Sequence, residues 1–372
     1  MSCVLVTGAT GVVGSALVPW YLQEETAQVK ILVRADSPSH LEQRLADLFA
    51  FWQPLGLDAR GLGRVQALRG DVTGPRWGLS PEDYARLTAE LTHVVHAAGN
   101  VKLNQPLDEA RRSAVDSVRQ ALDLARACQE HGQFQKLELI STVGVAGRTG
   151  GLIREVPCQA EHFHNTYEQA KAEAERLVLA EMAQGLPATI HRPSMVVGDS
   201  RTGHIVHFQV FYYLTEFLSG LRTWGFVPQT GRAKLDIIPA DYVARAIHLA
   251  SHCPKTAGRI LHLCSGPERS WELSRLTEWL RERLSRRGAR LPRLRRLSPA
   301  WYRRVLTSIR PLVPGRARRF LASLPYFLDY LAEEQLFDNS ETDQFLSAAG
   351  CAAPAPEQYL ETVMERYWNR NT

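Results

Sequence analysis

Residues 4–14 read V-L-V-T-G-A-T-G-V-V-G, a short apolar run that ends in three glycines spaced three apart: Gly8, Gly11 and Gly14. Few features restrict a chain more. An apolar strand that runs directly into glycines must turn sharply, and the residues after Gly11 open a helix. That is the first strand–turn–helix unit of a parallel sheet. The glycines let the backbone turn tightly and approach a pyrophosphate seated on the helix N-terminus. Three glycines would also suit a plain tight turn, so the following sequence has to decide between the two.

It continues in the same rhythm. Short apolar runs at 4–6, 29–33, 65–68, 93–95, 137–140 and 189–191 alternate with longer helical patterns, such as Leu41, Leu45, Leu48 and Trp52 at 3.6-residue spacing. Parallel strands buried on both faces need helical crossovers, and these spacings supply them. Pro19 falls inside the first helix, where a kink or a shortened helix is expected. Residues 192–234 break the rhythm, reading as loop-like and rich in aromatics (Phe208, Phe211, Tyr212, Tyr213, Phe217, Trp224, Phe226). Residues 235–250 return to the main pattern, with Asp241 expected as a helix N-cap, and 259–263 form a last strand. From Trp271 the pattern is helical and basic. The fold class is therefore α/β: a doubly wound parallel Rossmann sheet with a smaller, mostly helical C-terminal substrate domain. The sheet domain takes 1–191 and 235–265; the substrate or lid domain takes 192–234 and 266–372.

A length of 372 residues suits two domains, and 45% hydrophobic with 22% charged residues is ordinary for a globular chain. No cationic start with an apolar stretch precedes Val4, and no apolar run approaches the ~18 residues that span a bilayer. A cytoplasmic location is the expectation. The six cysteines are scattered without C-x-x-C spacing, as reduced, packed thiols would be. The close histidine pairs His93/His96, His162/His164 and His204/His207 lack a third ligand at a known spacing, so no metal is expected. No G-x-S-x-G elbow supports a serine hydrolase.

Two sets of residues carry chemistry. Arg34, at the end of the second strand, occupies the position where an acidic residue would hold the ribose of NAD; arginine there accommodates the 2′-phosphate of NADP. Asp36 nearby leaves NAD open, and Arg34 would also suit a solvated strand end. Asp71, after the third strand, is placed to reach the adenine edge, and Ala97, Ala98 and Gly99 let a cofactor lie close to backbone. The second set is Tyr167-Glu-Gln-Ala-Lys171, a phenol and an ammonium on one helix face, with Ser141-Thr142 at the carboxyl end of the fifth strand. An unperturbed phenol, with its pKa near ~10, is a poor acid–base group at neutral pH. A neighbouring ammonium and a cationic nicotinamide are expected to lower it. A lone Y-x-x-x-K is common on solvated helices; after a glycine loop and a strand-end hydroxyl it points to a Thr-Tyr-Lys active site.

Together TGATGVVG, GDV, HAAG, ISTVGVAG, YEQAK and HRPSMVVGDSRTG resemble the extended short-chain dehydrogenase/reductases. The segments LVRADSPSHLEQRLADLF, GDVTGPRWGLS and FDNSETDQFLSAAGCAAPAPEQYLETV narrow the resemblance. They are similar to the branch of fatty acyl-CoA reductases and thioester reductase domains. That resemblance implies catalytic Thr142, Tyr167 and Lys171. It also implies NADP(H) contacts from Thr7, Gly8, Thr10, Gly11, Val12, Val13 and Gly14, from Arg34 and Arg44, and from Asp71 and Val72. Ala97, Ala98, Gly99, Lys171, Pro193 and Ser194 complete the implied set. The implied reaction is reduction of an acyl thioester, delivered as acyl-CoA or on an acyl carrier protein, to aldehyde and on to alcohol. One departure is Ala114-Val115-Asp116-Ser117-Val118 where the branch usually has Asn-Val-x-Gly-Thr, which removes a side-chain anchor beneath the site.

Other readings remain at this point. The same fold could act on a ketone, an alcohol or a sugar nucleotide, and a non-catalytic NADP-sensing regulator would share the Rossmann frame. The aromatic stretch 208–226 would line an acyl tunnel or pack as ordinary core. Between Glu282 and Asp329 stand thirteen arginines and no acidic residue. They would serve CoA phosphates or an acidic carrier, an anionic membrane surface, or a solvated face. Nucleic acid is not an expected partner, because prolines break the run and no recognition motif appears. Oligomeric state is not legible.

Overall fold

The computed structural model describes residues 2–370 except 230, 299–300, 302–303 and 305–333. Seven strands form its central sheet: β1 (Cys3–Thr7), β2 (Gln28–Val33), β3 (Val65–Arg69), β4 (His93–His96), β5 (Lys136–Ile140), β6 (Ala188–Pro193) and β7 (Ile260–Leu263). Their order is β3-β2-β1-β4-β5-β6-β7, and every pairing is parallel. The order reverses between β1 and β4, and the crevice outside the carboxyl ends of those strands is where open α/β sheets take ligands.

Side chains alternate across the pleat, so Val4 and Val6 face one side and Leu5 the other. On the first side they meet α1 (Val12–Leu22), α2 (Pro38–Trp52) and α7 (Ala240–Ser251). On the second they meet α3 (Pro81–Glu90), α4 (Ser117–Glu130) and α5 (Thr166–Ala183). Coverage on both faces explains why the strands read as continuous apolar runs. A third core joins α6 (Val210–Leu218), α8 (Leu273–Arg286) and α10 (Pro356–Trp368). Leu346, at the end of α9 (Ser340–Ala348), and the following Cys351 and Ala353 instead pack with α1 and α7 against the sheet. The tail therefore serves both cores.

Three local expectations are corrected, and one open alternative is decided. Helix α1 runs through Pro19 without a break. Proline has no N–H for the carbonyl of Ser15, but the indole Nε1 of buried Trp52 donates to that oxygen at 2.7 Å. Asp241 lies inside the first turn of α7, not at its cap, and its carboxylate accepts from the backbone N–H and hydroxyl of Ser200 at 2.8 and 2.6 Å. Residues 210–218 are helical, not loop-like, because Phe211, Leu214, Phe217 and Leu218 form one buried face while Tyr213 stays exposed. Those aromatics are core: Phe211 and Tyr212 meet edge-on, as do Phe208 and Tyr212, and Phe208 also meets Tyr367. An acyl tunnel is not what Phe211, Tyr212 and Phe217 line.

Of the thirteen arginines, Arg303, Arg310, Arg316, Arg318 and Arg319 lie outside the described residues. Among the others, Arg283 pairs with Glu361 at 3.0 Å and Arg286 with Glu282 at 2.5 Å. Arg287 and Arg295 lie over the rings of Trp368 and Phe226. No helix among the described residues is long and apolar enough to cross a membrane.

Candidate active site

The glycine turn connects β1 to α1 and leans on the end of β4. Gly8 has φ of +71°, and a Cβ there would lie 2.6 Å from the carbonyl carbon of Ala97. A Cβ on Gly14 would lie 2.3 Å from the carbonyl oxygen of Gly8. Neither position admits a side chain. Gly11 is the N-cap of α1 and supplies no side-chain cap. The first-turn N–H groups of Val12, Val13 and Gly14 thus face the crevice as orphan donors, with the positive end of the helix dipole behind them. The donor set suits a pyrophosphate.

A buried relay holds this turn. The N–H of Ala98 donates to Thr7 Oγ1 at 3.2 Å, Thr7 lies 3.0 Å from Nδ1 of His96, and Nε2 of His96 lies 3.2 Å from the hydroxyl of Ser117. Ser117 donates onward to the carbonyl of Ser113 at 2.7 Å. A carbonyl only accepts, so the chain assigns the ring proton to Nε2 and makes Nδ1 the acceptor from Thr7. Burial, then the charge of Lys171, pushes His96 down to about 3, keeping it neutral. Of the residues that replace the expected Asn-Val-x-Gly-Thr, Ala114, Val115 and Asp116 sit here in a π-helical turn at Arg112–Asp116, and Ser117 and Val118 open α4. Ser117 supplies a hydrogen-bonding anchor from three residues beyond Ala114.

Beside the crevice, Arg44 reaches from α2 to the glycine turn. It donates to Thr10 Oγ1 at 2.8 Å and to the carbonyl of Arg34 at 2.6 Å. Arg34 itself is largely exposed, with Asp71 4.0 Å away. Asp71 also fixes its own loop by accepting from the N–H and hydroxyl of Thr73. Val72 is partly buried against the second core. Asp36 is 95% exposed and pairs only with His40 among the ion pairs of the described residues.

The chemistry-bearing trio lies at the same carboxyl edge. Thr142 ends β5's extension, its Oγ1 accepting from the N–H of Gly144 at 3.1 Å. Asn165 caps α5, which sets Tyr167 and Lys171 one turn apart. The Thr142 hydroxyl is close enough to the Tyr167 phenol to favour its ionised form. Buried Lys171 donates from Nζ to the carbonyl of Ile140 at 2.8 Å and lies against Gly99. Pro193 and Ser194 close the edge at the end of β6. All the residues expected at the catalytic end therefore sit on one rim of the sheet.

The electrostatics correct one expectation. Burial, then the charge of Glu168, pushes Tyr167 up to about 12, against the neighbouring Thr142 hydroxyl. The protein's own groups keep the phenol neutral. Lys171 is lowered to about 8 by burial, against Glu175. Glu168 was not singled out in the sequence, yet it is fully buried beside Tyr167, held by the backbone N–H and Nδ1 of His164 and by the amide of Asn165. Its signal is Asn165 followed three residues later by Glu, the capping pattern at a helix start. Glu175 and Arg192, paired at 2.7 Å and buried, also escaped notice.

Comparison with known proteins agrees with this geometry. The family model described as male sterility protein, NAD-binding, matches residues 6–247. The isonitrile lipopeptide synthase of Streptomyces coeruleorubidus is 30% identical over 284 residues, covering 75% of this chain and 18% of that protein. L-2-aminoadipate reductase of Schizosaccharomyces pombe is 25% identical over 285 residues, 71% of this chain and 19% of that one. The chain thus spans about a fifth of the length of these curated relatives. Among solved structures, the terminal R domain from the myxalamid PKS-NRPS pathway superposes with a TM-score of 0.80 at 26% identity, covering 99% of this chain and 92% of that one. A thiolation-reductase di-domain from an archaeal non-ribosomal peptide synthetase shares the fold, with a TM-score of 0.75 at 20% identity over 99% of this chain and 75% of that one.

Proposed function

Because the chain belongs to the NAD-binding, male sterility protein family of extended short-chain dehydrogenase/reductases and is thereby an NAD(P)-dependent oxidoreductase, we propose that it reduces acyl thioesters with NADPH. The acyl group arrives on the phosphopantetheine arm of a carrier protein, with acyl-CoA as its soluble equivalent, and leaves as aldehyde or, after a second round, alcohol. The carrying observation is the neighbouring Thr142 and Tyr167 hydroxyls at the strand rim, one helical turn from buried Lys171 and beside the Gly8 cradle. The two solved structures compared above are R domains, one of them joined to a thiolation domain, which favours a carrier-borne thioester.

Bound along the rim, the reduced dinucleotide would supply a hydride to the thioester carbonyl carbon. Its pyrophosphate would rest on the first turn of α1, and its 2′-phosphate between Arg34 and Arg44. The carbonyl oxygen would lie against the two hydroxyls, which stabilise the charge developing there. Tyr167, neutral in the resting site, gives that oxygen its proton. The resulting hemithioacetal expels the thiol and leaves the aldehyde. Lys171 holds the nicotinamide ribose and Gly99 lets it approach.

The test is loss of NADPH absorbance with a panel of carrier-bound acyl groups, acyl-CoAs, ketones and UDP-sugars, with NADH alongside. Thioesters should turn over with NADPH, and Tyr167→Phe should slow turnover by roughly 10²-fold or more while leaving NADPH binding in place. Turnover of ketones alone, or a Tyr167→Phe variant at near-normal rate, would sink the reading.

A further inference from the structure

At the opposite edge of the sheet, three side chains converge that take no part in this chemistry. Glu24 follows α1, while His248 and His252 lie one turn apart at the end of α7. Oε1 of Glu24 is 2.7 Å from Nε2 of His248 and 3.0 Å from Nε2 of His252. Near them are His93 and Lys136, the first residues of β4 and β5, so the cluster sits at the amino ends of strands whose carboxyl ends carry the active site.

We propose that Glu24, His248 and His252 form a binding site for a divalent transition metal of the zinc class. The decisive point is the proton count. Nδ1 of His252 lies 2.9 Å from the backbone carbonyl of His248 and 3.1 Å from the hydroxyl of Ser251; with that hydroxyl donating to the same carbonyl at 2.8 Å, the hydrogen falls on Nδ1. In the neutral ring Nε2 is then a bare lone pair, and it faces a carboxylate oxygen, which is also only an acceptor. A cation between them removes that conflict. It is either an added proton, making His252 an imidazolium beside His248, or a metal that takes both imidazole lone pairs and the carboxylate together.

Several observations favour the metal. Two imidazoles and a carboxylate are a preferred donor set for zinc. An imidazole ligand whose other nitrogen donates to a backbone carbonyl is oriented as ligating histidines are. The second carboxylate oxygen of Glu24 is held by the hydroxyl of Ser2 at 3.2 Å. His248 is walled by Tyr21, whose ring stands edge-on at 5.0 Å. Glu24 and His252 remain about one-third exposed, which leaves room for water as the remaining ligand. Zinc bonds of about 2.0–2.1 Å need donors roughly 3.3 Å apart, so the side chains open by a few tenths of an ångström to admit the ion. The metal would tie the end of α1 to the end of α7, with no route into the crevice.

The experiment uses the full chain, stripped with a chelator and titrated with Zn2+ alone by calorimetry, then with Co2+ as a spectroscopic probe. The expected result is one tight Zn2+ per chain, weakened roughly tenfold or more by Glu24→Gln and by His252→Gln. The Co2+ form should show weak visible bands and no intense near-ultraviolet thiolate band. Equal Zn2+ affinity in wild type and both variants overturns the proposal, as does no binding by the wild type. A thiolate band in the wild-type Co2+ form overturns it without any variant, because it would assign the ion to cysteine.

Discussion

A proton donor must keep its proton until the acceptor needs it, and Tyr167, the donor proposed above, meets that requirement through burial and the neighbouring Glu168. Lys171 behaves differently. Its folded value, about 8, lies below the ordinary 10.5, so the folded chain gives up between those values a proton that the unfolded chain still holds. Above pH 8 the amine is progressively neutral, and it would grip a ribose hydroxyl and nearby phosphates less well. The Kd for NADPH should therefore rise roughly tenfold between pH 7 and 9, with the bend near 8, and Lys171→Arg should flatten that rise. Fluorescence titration of the dinucleotide checks it; a wild-type Kd that stays constant across the range would refute it. Thr142, Tyr167 and Lys171 were legible because strand end and helix spacing are local. Glu168 was not. A glutamate inside Y-x-x-x-K looks solvated until His164, Asn165 and Gly144 are folded around it.

At the scale of elements, the crossover helices were legible wherever periodicity alone sets them, and misread wherever a distant partner intervenes. Pro19 is the clear case. A proline in mid-helix should cost ~3 kcal/mol, but its damage includes one lost donor, and Trp52 replaces that donor from α2. No pattern within 12–22 could announce a partner thirty-seven residues away in sequence. Trp52→Phe keeps most of the ring and removes the N–H, leaving the Ser15 carbonyl buried without a partner, at about 1–3 kcal/mol. Pro19→Ala restores a backbone donor to the same oxygen. Trp52→Phe should consequently cost less in the Pro19→Ala background, a coupling that urea unfolding of the four proteins measures. Strict additivity would show that the indole contributes packing alone. Helix α6 was missed for a related reason: its aromatics outnumber its polar residues, and only the third core shows which of them turn inward.

Over the whole molecule, the sheet could be read almost strand for strand, since parallel strands covered on both faces must be apolar throughout. Its far edge could not, since Glu24 meets His248 across 224 residues and no spacing rule reaches that far. The same sheet buries histidines at both edges, and this gives the fold a dependence on acid. His96 is held down to about 3, and His93 and His262 to about 4, in each case chiefly by burial. Each is neutral when folded and takes a proton at its ordinary 6.5 when unfolded. The unfolded chain therefore binds more protons between those values, and stability falls as pH drops through that window. Glu155, Asp236 and Asp241, raised by partial or full burial, act in the opposite sense, so the net slope mixes both kinds of group. A single substitution isolates one term. His96→Gln retains a donor and an acceptor between Thr7 and Ser117 but has nothing to titrate. Without added dinucleotide, its unfolding free energy relative to wild type should improve by about 1.4 kcal/mol for each pH unit from 6.5 toward 4. Urea melts at pH 7, 6 and 5 measure that difference; if it is the same at all three, the neutral His96 of the buried relay is wrong.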